Sequence, residues 1–162
     1  MNPPQSDGRD AVRAELAQHP FFAGFSAPEL GQLAGCAVRR EFPAGHPLTH
    51  EGEPAHCFYA LVSGKVAIQL HVPARGQVTL QTLNGGEVLG WSWLAAPAQW
   101  TFDSRTLQPT VALELDGRAV LQLCEADARL GYRLMTRLAA VMTQRLHATR
   151  LQLLDMYGAS RA

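Results

Sequence analysis

Between Val38 and Leu115 the chain cannot stay in one regular element for long. Apolar and polar residues alternate in short runs. Turn-forming clusters cut those runs at Pro43-Ala44-Gly45, Glu51-Gly52-Glu53-Pro54, Ser63-Gly64, Pro73-Ala74-Arg75-Gly76, Asn84-Gly85-Gly86 and Leu107-Gln108-Pro109. The strand candidates include Phe58 to Val62, Lys65 to His71, Val78 to Leu83, Thr101 to Leu107 and Val111 to Leu115. Short strands at roughly 8–12-residue spacing argue for an antiparallel sandwich or barrel rather than a parallel sheet. The pattern then changes. Asp116 reads as the cap of a helix through Leu123, and Asp127 as the cap of a longer, proline-free helix ending near Tyr157-Gly158, with Gly158 as the C′ stop. About 31 residues at 1.5 Å each make a rod of ~46 Å, longer than the body of a small domain.

Upstream, residues 1–9 are polar and are expected to lack regular structure. Ala11 to Ala17 carry a helical pattern that stops at His19-Pro20, because the residue before proline is driven out of the α region. Ser26-Ala27-Pro28-Glu29 reads as a capping box that opens a helix to about Cys36. The 162 residues are 47% hydrophobic, enough for one domain with a sizeable core. The formal net charge is zero, so no global field recruits nucleic acid or an acidic membrane. No apolar run reaches the roughly 20 residues of a membrane span, and the N-terminus has no apolar signal core. Cys36, Cys57 and Cys124 are odd in number and lack C-x-x-C spacing. They read as reduced core residues of a cytoplasmic protein.

The long helix carries two apolar stripes. Met135, Ala139, Met142, Leu146, Thr149, Leu153 and Met156 alternate steps of four and three, the spacing of a coiled-coil seam. Leu134, Leu138 and Val141 form a neighbouring stripe suited to the strand body. One stripe for its own domain and one for a partner points to a homodimer. The alternative, that both stripes are intradomain core, stays open.

All three tryptophans, Trp91, Trp93 and Trp100, fall within ten residues of each other around Gly85-Gly86-Glu87-Val88-Leu89-Gly90, with Phe102 beside them. Gly90 permits close approach to the backbone, and the short apolar turn from Ser92 to Ala95 offers N–H groups to an anion. Two readings hold for the tryptophans. They fill a cavity and lock the fold shut, or they line a pocket for an apolar or planar ligand, and the first is favoured.

The order of these pieces resembles the β-roll and dimerisation helix of the cyclic-nucleotide-binding domains of the Crp/Fnr superfamily. Its carriers are Phe42-Pro43-Ala44-Gly45, Glu51-Gly52-Glu53, Phe58 through Val66, Gly86-Glu87-Val88-Leu89-Gly90 and Arg145-Leu146-His147-Ala148-Thr149. The resemblance implies a mainly β, α+β fold: an antiparallel double-stranded β-roll (jelly roll) of about eight strands, short N-terminal helices and a long C-terminal dimerisation helix. It divides the chain into a tail and short helix over 1–20, the roll over 21–126, the helix over 127–157 and a tail over 158–162. It also implies a ligand pocket, whose candidate residues are Ile68, Leu80, Leu83, Gly90, Trp91, Ser92, Trp93, Trp100, Thr101 and Thr149. Nucleotide-binding members place a glutamate after the second glycine for the ribose, and an arginine with a serine or threonine at the start of the return strand for the phosphate. Here Trp91 takes the first place and Trp100-Thr101 the second. Losing two charge-assisted anchors costs about 3–6 kcal/mol, or roughly a hundredfold and more in affinity.

The other constellations are weaker. His46, His50, His56 and His71 lack metal-ligand spacing and read as surface turn residues, so no metal site is expected. No nucleophile elbow, P-loop or dinucleotide fingerprint is present, so no catalytic residue is named and an enzyme is not expected. Arg129, Arg133 and Arg137 form a basic ridge whose default reading is a solvated face. Only five residues follow Tyr157, too few for the winged helix-turn-helix of the family's regulators, and direct DNA binding is not expected. The sequence thus reads as a non-enzymatic regulatory or sensor module with a degenerate, tryptophan-rich cassette that does not hold cyclic AMP in the usual way. It has no resident cofactor, and a small-molecule effector and a protein partner are its candidate partners. The alternative is a working cyclic AMP or cyclic GMP receptor, or the sensor half of a Crp/Fnr-type regulator.

Overall fold

The computed structural model describes residues 5–159, and side chains over 8–155. Helices α1 (Gln5–Gln18) and α2 (Ala27–Ala34) flank a 3₁₀ turn at Pro20–Phe22. Eight strands follow: β1 (Ala37–Phe42), β2 (Pro47–Thr49), β3 (Cys57–Ser63), β4 (Lys65–Val72), β5 (Gly76–Asn84), β6 (Val88–Leu89), β7 (Asp103–Thr106) and β8 (Thr110–Asp116). A second 3₁₀ turn, Ser92–Leu94, lies between β6 and β7, and α3 (Gly117–Ala126) and α4 (Ala128–Ala159) close the chain. The strands form two antiparallel four-stranded sheets, ordered β1-β8-β3-β6 and β2-β7-β4-β5. This is the expected jelly roll.

Local chemistry explains most of the boundaries. Ser26 Oγ accepts from Glu29 N–H while Glu29 Oε2 accepts from Ser26 N–H at 2.6 Å, closing the capping box on α2. Asp116 Oδ1 accepts from Ala119 N–H at 2.7 Å, and Asp127 Oδ1 from Arg129 and Leu130 at 3.0 and 3.1 Å, so each carboxylate starts a helix. Gly64 joins β3 to β4 at φ +97°, where a Cβ would lie 2.4 Å from Thr110 Oγ1. Only glycine fits there.

The core sits between the sheets and under α4. Cys57, Phe58, Tyr59, Ala60 and Leu61 of β3 are all buried, as a strand covered on both faces requires. Leu130, Leu134 and Leu138 of α4 are buried, with Leu134 and Leu138 in the main core and Val141 partly buried beside it. Each full burial of this kind resists truncation to alanine by about 2–5 kcal/mol.

Several expectations are corrected here. The N-terminal helix starts at Gln5 rather than Ala11, because Val12 and Leu16 pack into the core and Asp10 pairs with Arg13 at 3.3 Å, supporting the turns before them. Helix α4 passes through Gly158 to Ala159, so that glycine does not stop it. Strand β7 is limited to Asp103–Thr106, since Trp100 and its neighbours are pinned to the 52–55 loop instead. Of the basic ridge, Arg129 is exposed as expected, but Arg133 and Arg137 are not on a free solvated face. Arg133 donates to the Gly24 carbonyl, lies 3.6 Å from Glu29 and covers the Phe25 ring, while Arg137 donates to the Ala23 carbonyl. These arginines staple α4 to the turn before α2.

Candidate functional site

Local backbone geometry sets one wall of the site. Gly90 follows β6 at φ +88°, and a Cβ there would lie 2.6 Å from Trp100 Cζ3. The missing side chain is therefore the space Trp100 occupies. Trp100 is held by two backbone bonds, its N–H to Glu53 O and its carbonyl from Gly52 N–H, both at 2.9 Å. On the opposite sheet, β5 carries an extra residue at Leu80, since Ile68 pairs with Gln81 and Gln69 with Thr79. That bulge brings both Leu80 and Gln81 to the site.

Together with α4 these elements form a half-open cavity of about 250 Å³. Of the expected pocket residues, Ile68, Leu80, Gly90, Trp91, Ser92, Trp100, Thr101 and Thr149 line it. Leu83 and Trp93 do not. Leu83 faces the sheet interior opposite Val66. Trp93 is buried, stacks on Phe58 with ring centroids 5.3 Å apart and donates to the Gly90 carbonyl at 3.3 Å. Trp93 thus fills the core, while the space beside Trp91 stays open.

Sequence reasoning about the site missed Arg145. It is 8% exposed, lines the cavity, donates through Nη2 to the Val88 carbonyl and lies over the Trp91 ring at 4.6 Å. Burial pushes its pKa down to about 10, and the field of Glu87 opposes that shift. The guanidinium is still charged at neutral pH. A signal was present: 134, 138, 141 and 145 continue one four-three-four stripe, so an arginine stands on the face that turns inward. Thr49 and Ser104, whose hydroxyls bond each other at 2.7 Å, and Phe102 and Asp103 were also missed as lining residues. Asp103 is held below the usual carboxylate range by Glu51 N–H and by Gln77, both donating to it.

The seam residues divide. Met135 and Met142 pack against their own core, and Met142 and Leu146 line the cavity. Ala139, Leu146, Thr149 and Leu153 are exposed, and the side chain of Met156 lies outside the described residues. Cys36, Cys57 and Cys124 are free thiols, and burial pushes Cys57 up to about 11, far from a thiolate at neutral pH. Among the described residues, no group of three or more His, Cys, Asp or Glu is placed to hold a metal ion. No described helix is long and apolar enough to cross a membrane.

The family model of the cyclic nucleotide-binding domain matches residues 39–127. Glutaminase 1 of Bradyrhizobium diazoefficiens is 30% identical over 132 residues, covering 82% of this chain and 21% of that protein. The CRP-like cAMP-activated global transcriptional regulator of Mycobacterium tuberculosis is 27% identical, covering 87% of this chain and 61% of that one. This chain therefore spans about three fifths or less of these curated relatives. Among solved structures, a cyclic nucleotide-binding domain from Methylobacillus flagellatus superposes with a TM-score of 0.82 at 22% identity, covering 92% of this chain and 86% of the other.

Proposed function

The chain belongs to the cyclic nucleotide-binding domain family, of the regulatory and sensor type, and from that premise we propose a non-enzymatic module whose cavity is read by α4 but whose cassette does not grip a cyclic nucleotide through the family's usual anchors. The observation that carries this reading is the pair Trp91 and Arg145. Where the resemblance places an acidic ribose anchor, an indole is stacked under a buried guanidinium at 4.6 Å. That pair is a cation–π contact of roughly 0.5–2 kcal/mol, with no acceptor for a sugar hydroxyl. The segment leading into the return strand offers Thr101 but no arginine beside it, and Arg105 is engaged with the Gly45 carbonyl at 2.8 Å.

Occupancy has a route to α4, because Met142, Arg145, Leu146 and Thr149 of that helix line the cavity. A ligand that prefers one setting of α4 shifts its population by the difference in affinity. The helix in turn exposes Leu146, Leu151, Leu153 and Leu154, a surface suited to a second copy of the chain. We place the module in the cytoplasm, in keeping with its three free thiols. A downstream protein partner would read the setting of α4.

Calorimetric titration with cyclic AMP and cyclic GMP, with tryptophan fluorescence followed in parallel, tests the reading. The expected result is no saturable heat up to about millimolar ligand, in line with two lost anchors of ~1.5–3 kcal/mol each. Saturation near micromolar would overturn it. The second reading, a working cyclic-nucleotide receptor or the sensor half of a regulator, draws on the open cavity and on the likeness to the mycobacterial protein whose name is cAMP-activated.

A further inference from the structure

Two charged side chains are buried among the described residues, Glu29 and Arg145. Glu29 is accounted for, since it caps α2 and faces Arg133. Arg145 is not. It takes part in no ion pair among the described residues. Glu87, whose field reaches it, is turned to its own loop and accepts from Asn84 N–H at 2.8 Å. A guanidinium has five N–H donors along its edge, while stacking uses its flat face. The Trp91 ring takes the face, the Val88 carbonyl takes one donor on Nη2, and the remaining donors have no protein acceptor among the described residues. None of those donors is a fully buried, unpartnered atom, so they open to the cavity, and a cation whose free donors face a cavity is a site for an anion.

The rest of the wall sets the body of that anion. Trp91, Trp100, Phe102, Leu89, Met142 and Leu146 present apolar and aromatic surface. The volume of about 250 Å³ lies just under the ~300–1,000 Å³ of pockets that take drug-sized ligands. One charge is matched: Arg145 is the one cationic side chain among the described residues that line the cavity. We propose that the cavity binds a small aromatic monocarboxylate, its carboxylate on the edge of Arg145 and its ring among Trp91, Trp100 and Leu146. This rests on the proposed reading that the cavity is a ligand site no longer built for a nucleotide.

Calorimetry on the full chain with indole-3-acetate and its neutral amide, indole-3-acetamide, tests it directly. The acid is expected to bind at least about tenfold tighter than the amide, the ratio a charge-assisted hydrogen bond supplies. In Arg145→Gln that preference should vanish while the amide's affinity stays within about threefold. The acid–amide comparison on the unaltered protein stands even if the variant fails to fold. Equal affinities for acid and amide, or no binding of the acid up to about 10 mM, would overturn the ligand class. With cyclic AMP also silent, those results leave the underlying reading standing. Micromolar cyclic AMP binding removes that reading, and the ligand class with it.

Discussion

The imidazole of His19 is held from both sides. Nδ1 accepts from Phe21 N–H at 3.2 Å, and Nε2 lies 3.0 Å from the Leu61 carbonyl. A carbonyl only accepts, so the ring proton sits on Nε2 and the ring is neutral. Protonating Nδ1 would set two donors against each other. Burial pushes the His19 pKa below its ordinary 6.5 despite the raising effect of the Leu61 and Glu87 backbone. A depressed histidine contributes stability that is complete above 6.5 and is lost as pH falls through the folded-state value. His19→Gln should therefore be less stable than the parent at pH 7.5 by about 1–3 kcal/mol. In urea titrations that gap should narrow toward pH 5. A gap independent of pH would show that the titration of His19 is not linked to folding. None of this was visible in His19-Pro20 as a helix stop.

At the level of elements, the turn between β6 and β7 is built around one missing Cβ. The Gly90 backbone at φ +88° disfavours any L side chain, and Trp100 fills the space that a methyl would need. Gly90→Ala should lower the unfolding free energy by about 1–3 kcal/mol and shift the tryptophan emission. An unchanged urea midpoint would mean that Trp100 moves aside at little cost. The turn signals around Asn84-Gly85-Gly86 and the caps at Ser26, Asp116 and Asp127 were legible because each is a short-range hydrogen bond or a local dihedral. The staples from Arg133 and Arg137 were not, since their acceptors lie more than a hundred residues upstream.

At the scale of the whole molecule, α4 belongs both to the cavity and to the outer surface. Its buried stripe of Leu130, Leu134 and Leu138 docks it on the roll, and Leu153 and Leu154 stay exposed toward its end. A 32-residue helix with apolar residues on that exposed part fits pairing with a second copy. Sedimentation velocity should give a dimer for the parent and a monomer for Leu153→Glu, because a buried carboxylate at a seam is left unpaired. Leu153 lines no cavity described above, so cavity occupancy offers no competing account. A monomeric parent, or a variant that remains dimeric, would rule out this face.

The resemblance supplied the roll, while the sequence pattern by itself determined the run of short antiparallel strands with its long terminal helix, the helix caps, the turn glycines and the inward stripe of α4. Those features follow from periodicity and from contacts between near neighbours, which a linear pattern records. Only the tertiary structure decided the composition of the cavity. It sent Trp93 into the core against Phe58 and kept Leu83 under the sheet. It bent β5 at Leu80 and laid Arg145 across Trp91 from a segment more than fifty residues away. Which faces meet depends on the docking of α4 and on strand register, and both are set by the packing of the whole core.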